Sequence, residues 1–182
     1  MAKLLLHTCC GPCFLGAWED LKDKLEVTNL FYNPNIQPKR EYQKRLDNLK
    51  LAVTDKSKEV MTLVYCPEEH RSATLGLESE FPLRCTKCYA LRLTKTAKEA
   101  KKLGFDLFST TLLVSPYQQH ETLKDLGEKI ACKVGIEFYY TDWRSNFREG
   151  QNIARNSGIY RQKYCGCIFS KEEAENNRNK PL

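Results

Sequence analysis

Nothing in this 182-residue chain approaches the roughly 18 consecutive apolar residues that a membrane-spanning helix needs, and no low-complexity tract or internal repeat interrupts it. Phosphate-binding glycine loops are missing as well. Neither G-x-G-x-x-G nor G-x-x-x-x-G-K occurs, which removes the sequence basis for a bound dinucleotide or for P-loop chemistry. Histidine is scarce: His7, His70 and His120 are the whole complement, and none belongs to an H-x-x-x-H pair of the zinc-binding type. The apolar run at residues 4–6 is shorter than the roughly seven residues of a secretory h-region, so the chain is expected to be cytoplasmic and to have no membrane partner.

What the chain does have is cysteine. Nine thiols without an export signal point to a reducing compartment, where clustered cysteines more often bind metal or do redox chemistry than form structural bridges. A hydrophobic share of 41% with 29% charged residues is that of a globular protein, and the length suits one domain with its own core. The net charge of +6 favours an anionic partner such as RNA, although a mildly basic solvated surface accounts for it equally well.

Short apolar or β-branched runs alternate with stretches of helical period. "KLLLHT", "VTNLFYN", "VMTLVYC", "DLFSTTLLV" and "IEFYYTD" read as strands. Between them, helices are predicted over residues 11–25, opened by Pro12, and over 40–58, where Tyr42, Leu46, Leu49 and Val53 recur at three and four spacing. Two more are predicted over 86–104 and 118–135, ending on Gly104 and Gly135. This alternation predicts a single α/β domain over residues 1–182, with a parallel five-stranded, Rossmann-like sheet covered by helices on both faces. Residues 67–84 read as a loop, and "WRSNFREGQNIARNSGIYRQKY" reads as irregular. A last helix is expected from Ser170, with Glu173 closing a capping box, so that an irregular segment and helix over about 143–182 complete the metal site. Sites in such sheets gather at the carboxyl ends of the strands, where the strand order reverses.

Three cysteine motifs are read against that rule, the place of Cys85 and Cys88 at the rim depending on how residues 67–84 fold back. Cys9, Cys10 and Cys13 follow the first strand; Cys85 and Cys88 form a C-x-x-C at a helix start, where free N–H groups and the helix dipole favour thiolates; Cys165 and Cys167 flank one glycine in a tight loop. Four sulfurs suffice for a tetrahedral zinc or a cubane cluster, so seven are too many for either alone. In an extended chain Cys9 and Cys10 would point to opposite faces and serve two centres. The plainer alternative is that some of these thiols are buried hydrophobes or a simple zinc site. Cys132 reads as helix core, and Cys66 stands alone. His7 reads as a buried strand residue, His70 as a loop residue, and His120 as a helix-start residue within reach of the pocket.

The segments "HTCCGPC", "FYNPNIQP.REY..R", "RCTKCYALRL", "TTLLVSPYQQH" and "YRQKYCGCIFS", in that order and across nearly the whole length, resemble epoxyqueuosine reductases of the QueH type. The resemblance implies a HUP-type α/β domain that removes the epoxide oxygen of epoxyqueuosine in tRNA to give queuosine, without cobalamin. It further implies a [4Fe-4S] cluster with a second metal ion, iron, close by. Carried over by motif, Cys9, Cys10, Cys13, Cys85, Cys88, Cys165 and Cys167 are the candidate ligands, their division between the two centres left open; Cys10, Cys85, Cys88, Cys165 and Cys167 are the candidates for the cluster. Gln37 stands where the family pattern has histidine, and Trp143 where it has phenylalanine.

Converting an epoxide to an alkene takes two electrons and two protons. The candidate proton donors are Asp142, Tyr117, His120 and a metal-bound water, with Asp142 alternatively an ion-pair partner of Arg144, a helix cap or a ligand to the second metal. A separate electron donor and the tRNA anticodon loop are the implied partners. Lys39, Arg40, Lys44, Arg45, Arg148, Arg155, Arg161 and Lys163 are candidates for phosphates, and Tyr32, Tyr89, Tyr117, Trp143 and Tyr160 for base stacking. Two competing functions share these features: a zinc-stabilised RNA-binding module without catalysis, and a thiol-disulfide oxidoreductase built on Cys85 and Cys88.

Overall fold

The first strand explains much of the architecture. Leu4, Leu5 and Leu6 are consecutive and all fully buried, which an amphipathic edge strand could not be; such a run belongs to the centre of a sheet covered on both faces. In the computed structural model, which describes residues 1–54, 56–57 and 59–178, β1 (Ala2–His7) lies in the middle of a five-stranded parallel sheet of order β3-β2-β1-β4-β5. Its neighbours are β2 (Leu25–Phe31), in register Leu4 to Val27, and β4 (Leu107–Thr110), in register Leu4 to Leu107. The edges are β3 (Val60–Thr62) and β5 (Glu137–Phe138).

The helices are α1 (Gly11–Leu21), α2 (Lys39–Val53), α3 (Pro67–Ala73), α4 (Leu83–Lys102), α5 (His120–Val134), α6 (Phe147–Asn156) and α7 (Ile168–Arg178). α1 packs on α2 and α6, and α4 packs on α3 and α5. α4 buries Cys88, Tyr89, Arg92, Leu93, Thr96, Ala97 and Ala100, the three and four spacing of one helix face. α5 stops at Gly135, whose φ of 75° gives the left-handed cap that glycine adopts without strain. No helix among the described residues is long and apolar enough to cross a membrane.

The α/β class, the parallel sheet and its five strands agree with the sequence reading, and several details do not. Residues 55, 58 and 179–182, which the helix expected over 40–58 and the C-terminal segment would include, lie outside the described residues. The strand expected over 106–114 ends at Thr110, whose hydroxyl accepts from Leu112 N and turns residues 111–114 into a 3₁₀ helix; a buried apolar run reads alike in both forms. The presumed loop at 67–84 contains α3, so His70 is a buried helix residue. The stretch expected to be irregular contains α6, whose buried face is Gly150 and Ala154. Small residues carry that face because α6 runs against α1: a Cβ on Gly150 would lie 2.5 Å from the Pro12 carbonyl oxygen. α7 starts at Ile168 rather than Ser170; the Ser170 hydroxyl bonds back to Cys167 O, and Glu173 pairs with Arg84 instead of closing a capping box.

Candidate metal centre and its cavity

β1 and β4 are the neighbours at which strand order reverses, and the chain leaving β1 carries the first three thiols. Asn33 Nδ2 donates to Thr8 O at 2.9 Å and fixes this exit, and Pro12 opens α1 immediately afterwards. Cys9, Cys10 and Cys13 are all buried, and their sulfurs lie within 4.8 Å of one another. The sulfurs of Cys9 and Cys10 do not diverge as an extended chain would require; they are 3.7 Å apart, because these residues form the bend between strand and helix rather than part of the pleat. Hydrogen bonds from Cys10 and Cys13 hold the Cys9 thiol well below the usual range. Burial pushes Cys10 up, and bonds to Cys10 and Cys9 push Cys13 up. Three buried sulfurs this close together are a ready soft donor set for a metal ion.

The last pair is set by a loop whose backbone is gripped from the other half of the molecule. Arg45, 2% exposed, donates from Nη1 to Cys165 O at 2.9 Å and from Nη2 to Tyr164 O at 3.0 Å, while its Nε bonds Glu41 at 2.8 Å. Gln37 N donates to Gly166 O at 2.9 Å, and the Tyr164 hydroxyl to Gln37 O at 2.6 Å. Gly166 has φ 136°, and a Cβ there would meet Ile36 at 2.9 Å, so the residue between the two cysteines has to be glycine. Gln37, where a histidine was the family expectation, thus serves this loop through its backbone. Arg45, a candidate for phosphates in the sequence, is an internal clamp; Lys39, Arg40, Lys44, Arg148, Arg155, Arg161 and Lys163 are exposed.

Cys85 and Cys88 lie in the first turns of α4. Burial outweighs the helix terminus here, raising Cys85 to about 11 and Cys88 to about 12, and it raises Cys165 as well. Burial thus opposes the thiolate state that a C-x-x-C at a helix start would otherwise favour.

A cavity of about 640 Å³ opens between these elements, with Cys9, Cys13, Cys85, Cys165 and Cys167 in its wall. A second, much smaller cavity of about 20 Å³ is lined by Cys85, Cys88, Cys165 and Cys167 with Asn35, His70, Arg84 and Arg92. Cys10 lines neither, but its sulfur accepts from Gln162 Nε2 at 2.9 Å, and Gln162 lines the larger space. The thiols of the three motifs thus meet around two adjoining spaces. Asn35 Oδ1, Arg84 Nε and Arg92 Nη2, all on residues lining the small cavity, are buried without partners. A soft, sulfur-rich donor set with two unused N–H donors beside it, Arg84 Nε and Arg92 Nη2, fits a thiolate-bound metal group, whose sulfurs accept such bonds.

The three residues named as proton donors are placed differently. Tyr117 lies on the rim, 82% exposed, with its ring edge-on to Phe147. His120 is buried at the start of α5, its Nε2 at 3.0 Å from the Tyr140 hydroxyl and 3.8 Å from Asp142. Asp142 is gripped by Arg144, which holds its carboxyl down at about 2. Neither His120 nor Asp142 is among the residues lining the two cavities.

Of the five aromatic rings considered for stacking, Tyr32, Tyr89 and Trp143 are buried, with polar atoms bonded to Glu69, Gln118 and Asp20. Tyr160 carries Lys44 over its face at 3.7 Å. Tyr89 and Tyr117 both line the larger cavity, and of the five Tyr117 alone is exposed there. Cys132, expected in the core, is exposed on α5, while His7 is buried as expected, between Thr110 and Tyr32 O. Gln118 and Gln162, whose amide nitrogens reach Cys165 and Cys10, lie within two of the quoted segments but do not stand out there, since those contacts join residues far apart in the chain.

The family model described as "Epoxyqueuosine reductase QueH" matches residues 4–173. The protein of that name from Thermotoga maritima is 36% identical over 177 residues, covering 93% of this chain and 91% of the relative. That from Dehalococcoides mccartyi is 31% identical over 182 residues, 98% of each, and that from Streptococcus pyogenes is 33% identical over 178 residues, 92% of this chain and 70% of its own. With the match running from β1 into α7 and taking in all seven clustered cysteines, the chain belongs to the epoxyqueuosine reductase QueH family.

Proposed function

We propose that this protein reduces epoxyqueuosine in tRNA to queuosine, holding a [4Fe-4S] cluster and a second metal ion, iron, on Cys9, Cys10, Cys13, Cys85, Cys88, Cys165 and Cys167. The observation that supports this most is the gathering of thiols from the beginning, middle and end of the chain around an open cavity of about 640 Å³, within the usual size range of small-molecule sites. The C-terminal segment from about residue 143 completes that wall with Gln162, Cys165 and Cys167.

The reaction consumes two electrons and two protons, breaks both C–O bonds of the epoxide and releases water with an alkene. When bound, the metal group supplies electrons one at a time and a Lewis-acid position for the oxygen. The protein's own residues bind and protonate. Tyr117, exposed on the rim, offers both a ring for a base drawn out of the anticodon loop and a hydroxyl for a proton; Phe81, 66% exposed, lies in the same wall. Gln118, Gln162 and Lys163 supply polar contacts within the cavity. His120 bonds the Tyr140 hydroxyl and lies 3.8 Å from Asp142, which is paired with Arg144; neither lines the cavity, so a proton from either would reach it through an intermediary such as water. The exposed basic residues serve the phosphates, with a steep loss of binding in salt.

The test is anaerobic. Protein reconstituted with iron and sulfide is incubated with epoxyqueuosine tRNA and a strong reductant, and the digested nucleosides are weighed. A product lighter by one oxygen is expected, and an unchanged mass from iron-loaded protein overturns the assignment.

A further inference from the structure

Two arginines line the small thiol cavity, and they differ in one respect. Arg84 pairs with Glu173, donates to Glu78 O at 2.9 Å and lies near the rings of Phe81 and Phe169. Arg92, on the same helix, has no carboxylate partner among the described residues. It is 1% exposed, its Nε makes one long bond to Cys88 O at 3.3 Å, its Nη2 has no partner, and beneath it is the ring of Tyr89. An uncompensated cation in a dry interior is strongly unfavourable, so a fold that retains one has a negative partner for it in its working state. Besides Arg84, which has its own carboxylate, and His70, Tyr89 and Phe169, Arg92's cavity is lined by the four thiols of Cys85, Cys88, Cys165 and Cys167 and the unpartnered Asn35 Oδ1, with no carboxylate among them. Four thiolates on a cubane cluster or on a zinc ion leave a net negative charge, and that charge is the missing partner.

We propose that Arg92 is the fixed counter-charge of the thiolate-bound metal group at Cys85, Cys88, Cys165 and Cys167, and that through this charge it raises the group's reduction potential. The proposal rests on the metal-bound reading above and concerns a positioning residue that acts through the metal group. A nearby positive charge and N–H donors to sulfur both favour the reduced, more negative form.

Wild type, Arg92→Met and Arg92→Lys are prepared metal-free, then loaded anaerobically either with zinc(II) or with iron and sulfide. Without metal, methionine removes an unpaired charge, so its melting temperature is expected at or above wild type. With zinc it is expected below wild type, and lysine is expected to follow wild type in both states. A purely structural arginine would lower both. In a redox titration of the iron-loaded proteins followed by EPR, the methionine variant is expected to be at least tenfold harder to reduce, which is 59 mV for one electron. A methionine variant that is unfolded or less stable without metal overturns the proposal, as does an unchanged potential. A wild-type protein that takes up zinc but forms no iron–sulfur group overturns the deoxygenation reading instead, and the zinc melts alone then decide the role of Arg92.

Discussion

Replacing Gly150 by alanine tests how the two halves of the metal centre are held together. The added methyl would lie 2.5 Å from Pro12 O, 2.7 Å from Gly16 N and 2.9 Å from Gly16 Cα, about 1 Å inside the 3.5–4.0 Å of ordinary contact. All three atoms are backbone, so no rotamer change relieves the clash and α6 has to move away from α1. Two effects of opposite sign compete. Helix propensity favours alanine over glycine by about 1 kcal/mol. Overpacking costs about 1–3 kcal/mol, and the rigid backbone on both sides places this site at the upper end. The net expectation is a destabilisation of roughly 1–2 kcal/mol, a fall in melting temperature of about 2–8 °C for a chain of this size. Thermal unfolding of the metal-free protein by circular dichroism reads it, with Asn152→Ala on the exposed face of α6 as the control in which propensity acts alone and the melting temperature holds or rises. Since α1 carries Cys13 and α6 leads to Gln162 and Cys165, metal uptake should weaken along with stability. A Gly150→Ala protein that melts at or above wild type would refute the close helix approach.

Burial, reinforced by the charge of Arg92, holds His7 and His70 at about 4 against an ordinary 6.5. The unfolded chain therefore takes up protons that the folded chain refuses, and stability, full above pH 6.5, is lost as pH falls towards 4, by at most about 3 kcal/mol per histidine; urea melts at pH 7 and pH 5 should differ in midpoint, and equal midpoints contradict the buried neutral state. Cys88→Ser should cut iron content and deoxygenation together, whereas Cys132→Ser, on the exposed face of α5, should change neither; metal analysis beside the activity assay separates them. Tyr117→Ala should reduce turnover at least tenfold with little change in melting temperature, because its side chain is solvent-exposed; Tyr117→Phe then divides the loss, retaining stacking while removing the proton. Asp142→Asn should cost under about 1 kcal/mol in stability, since its ion pair is on the surface.

The sheet was legible because parallel strands buried on both faces leave an unmistakable trace: three consecutive leucines in β1, then apolar runs parted by helices closing on Gly104 and Gly135. The convergence of thiols was legible for the same reason, as each motif follows or opens an element whose end lies on one rim of the sheet. What escaped was whatever is written in small residues or in contacts distant along the chain. α6 was missed because Gly150 and Ala154, and not a leucine stripe, form its buried face. Arg45 looked like a phosphate ligand because a guanidinium that clamps a loop more than a hundred residues away has the same sequence signature as one on the surface. The proximity of the Cys9 and Cys10 sulfurs went against the extended-chain rule, since two residues in a bend do not obey the pleat.

Cys9 and Cys167 face one cavity yet stand near opposite ends of the polypeptide, and the loop carrying the second is anchored by Arg45 from α2. During synthesis the first three sulfurs leave the ribosome long before Cys165 and Cys167 exist. If the proposed group draws on the last motif, its insertion would be a late event, open only to a chain in which Cys165 and Cys167 are already in place. On the proposed reading, iron and sulfide would have to reach a chain already folded around Cys167, and one terminated before Cys165 would offer only the thiols of the first two motifs.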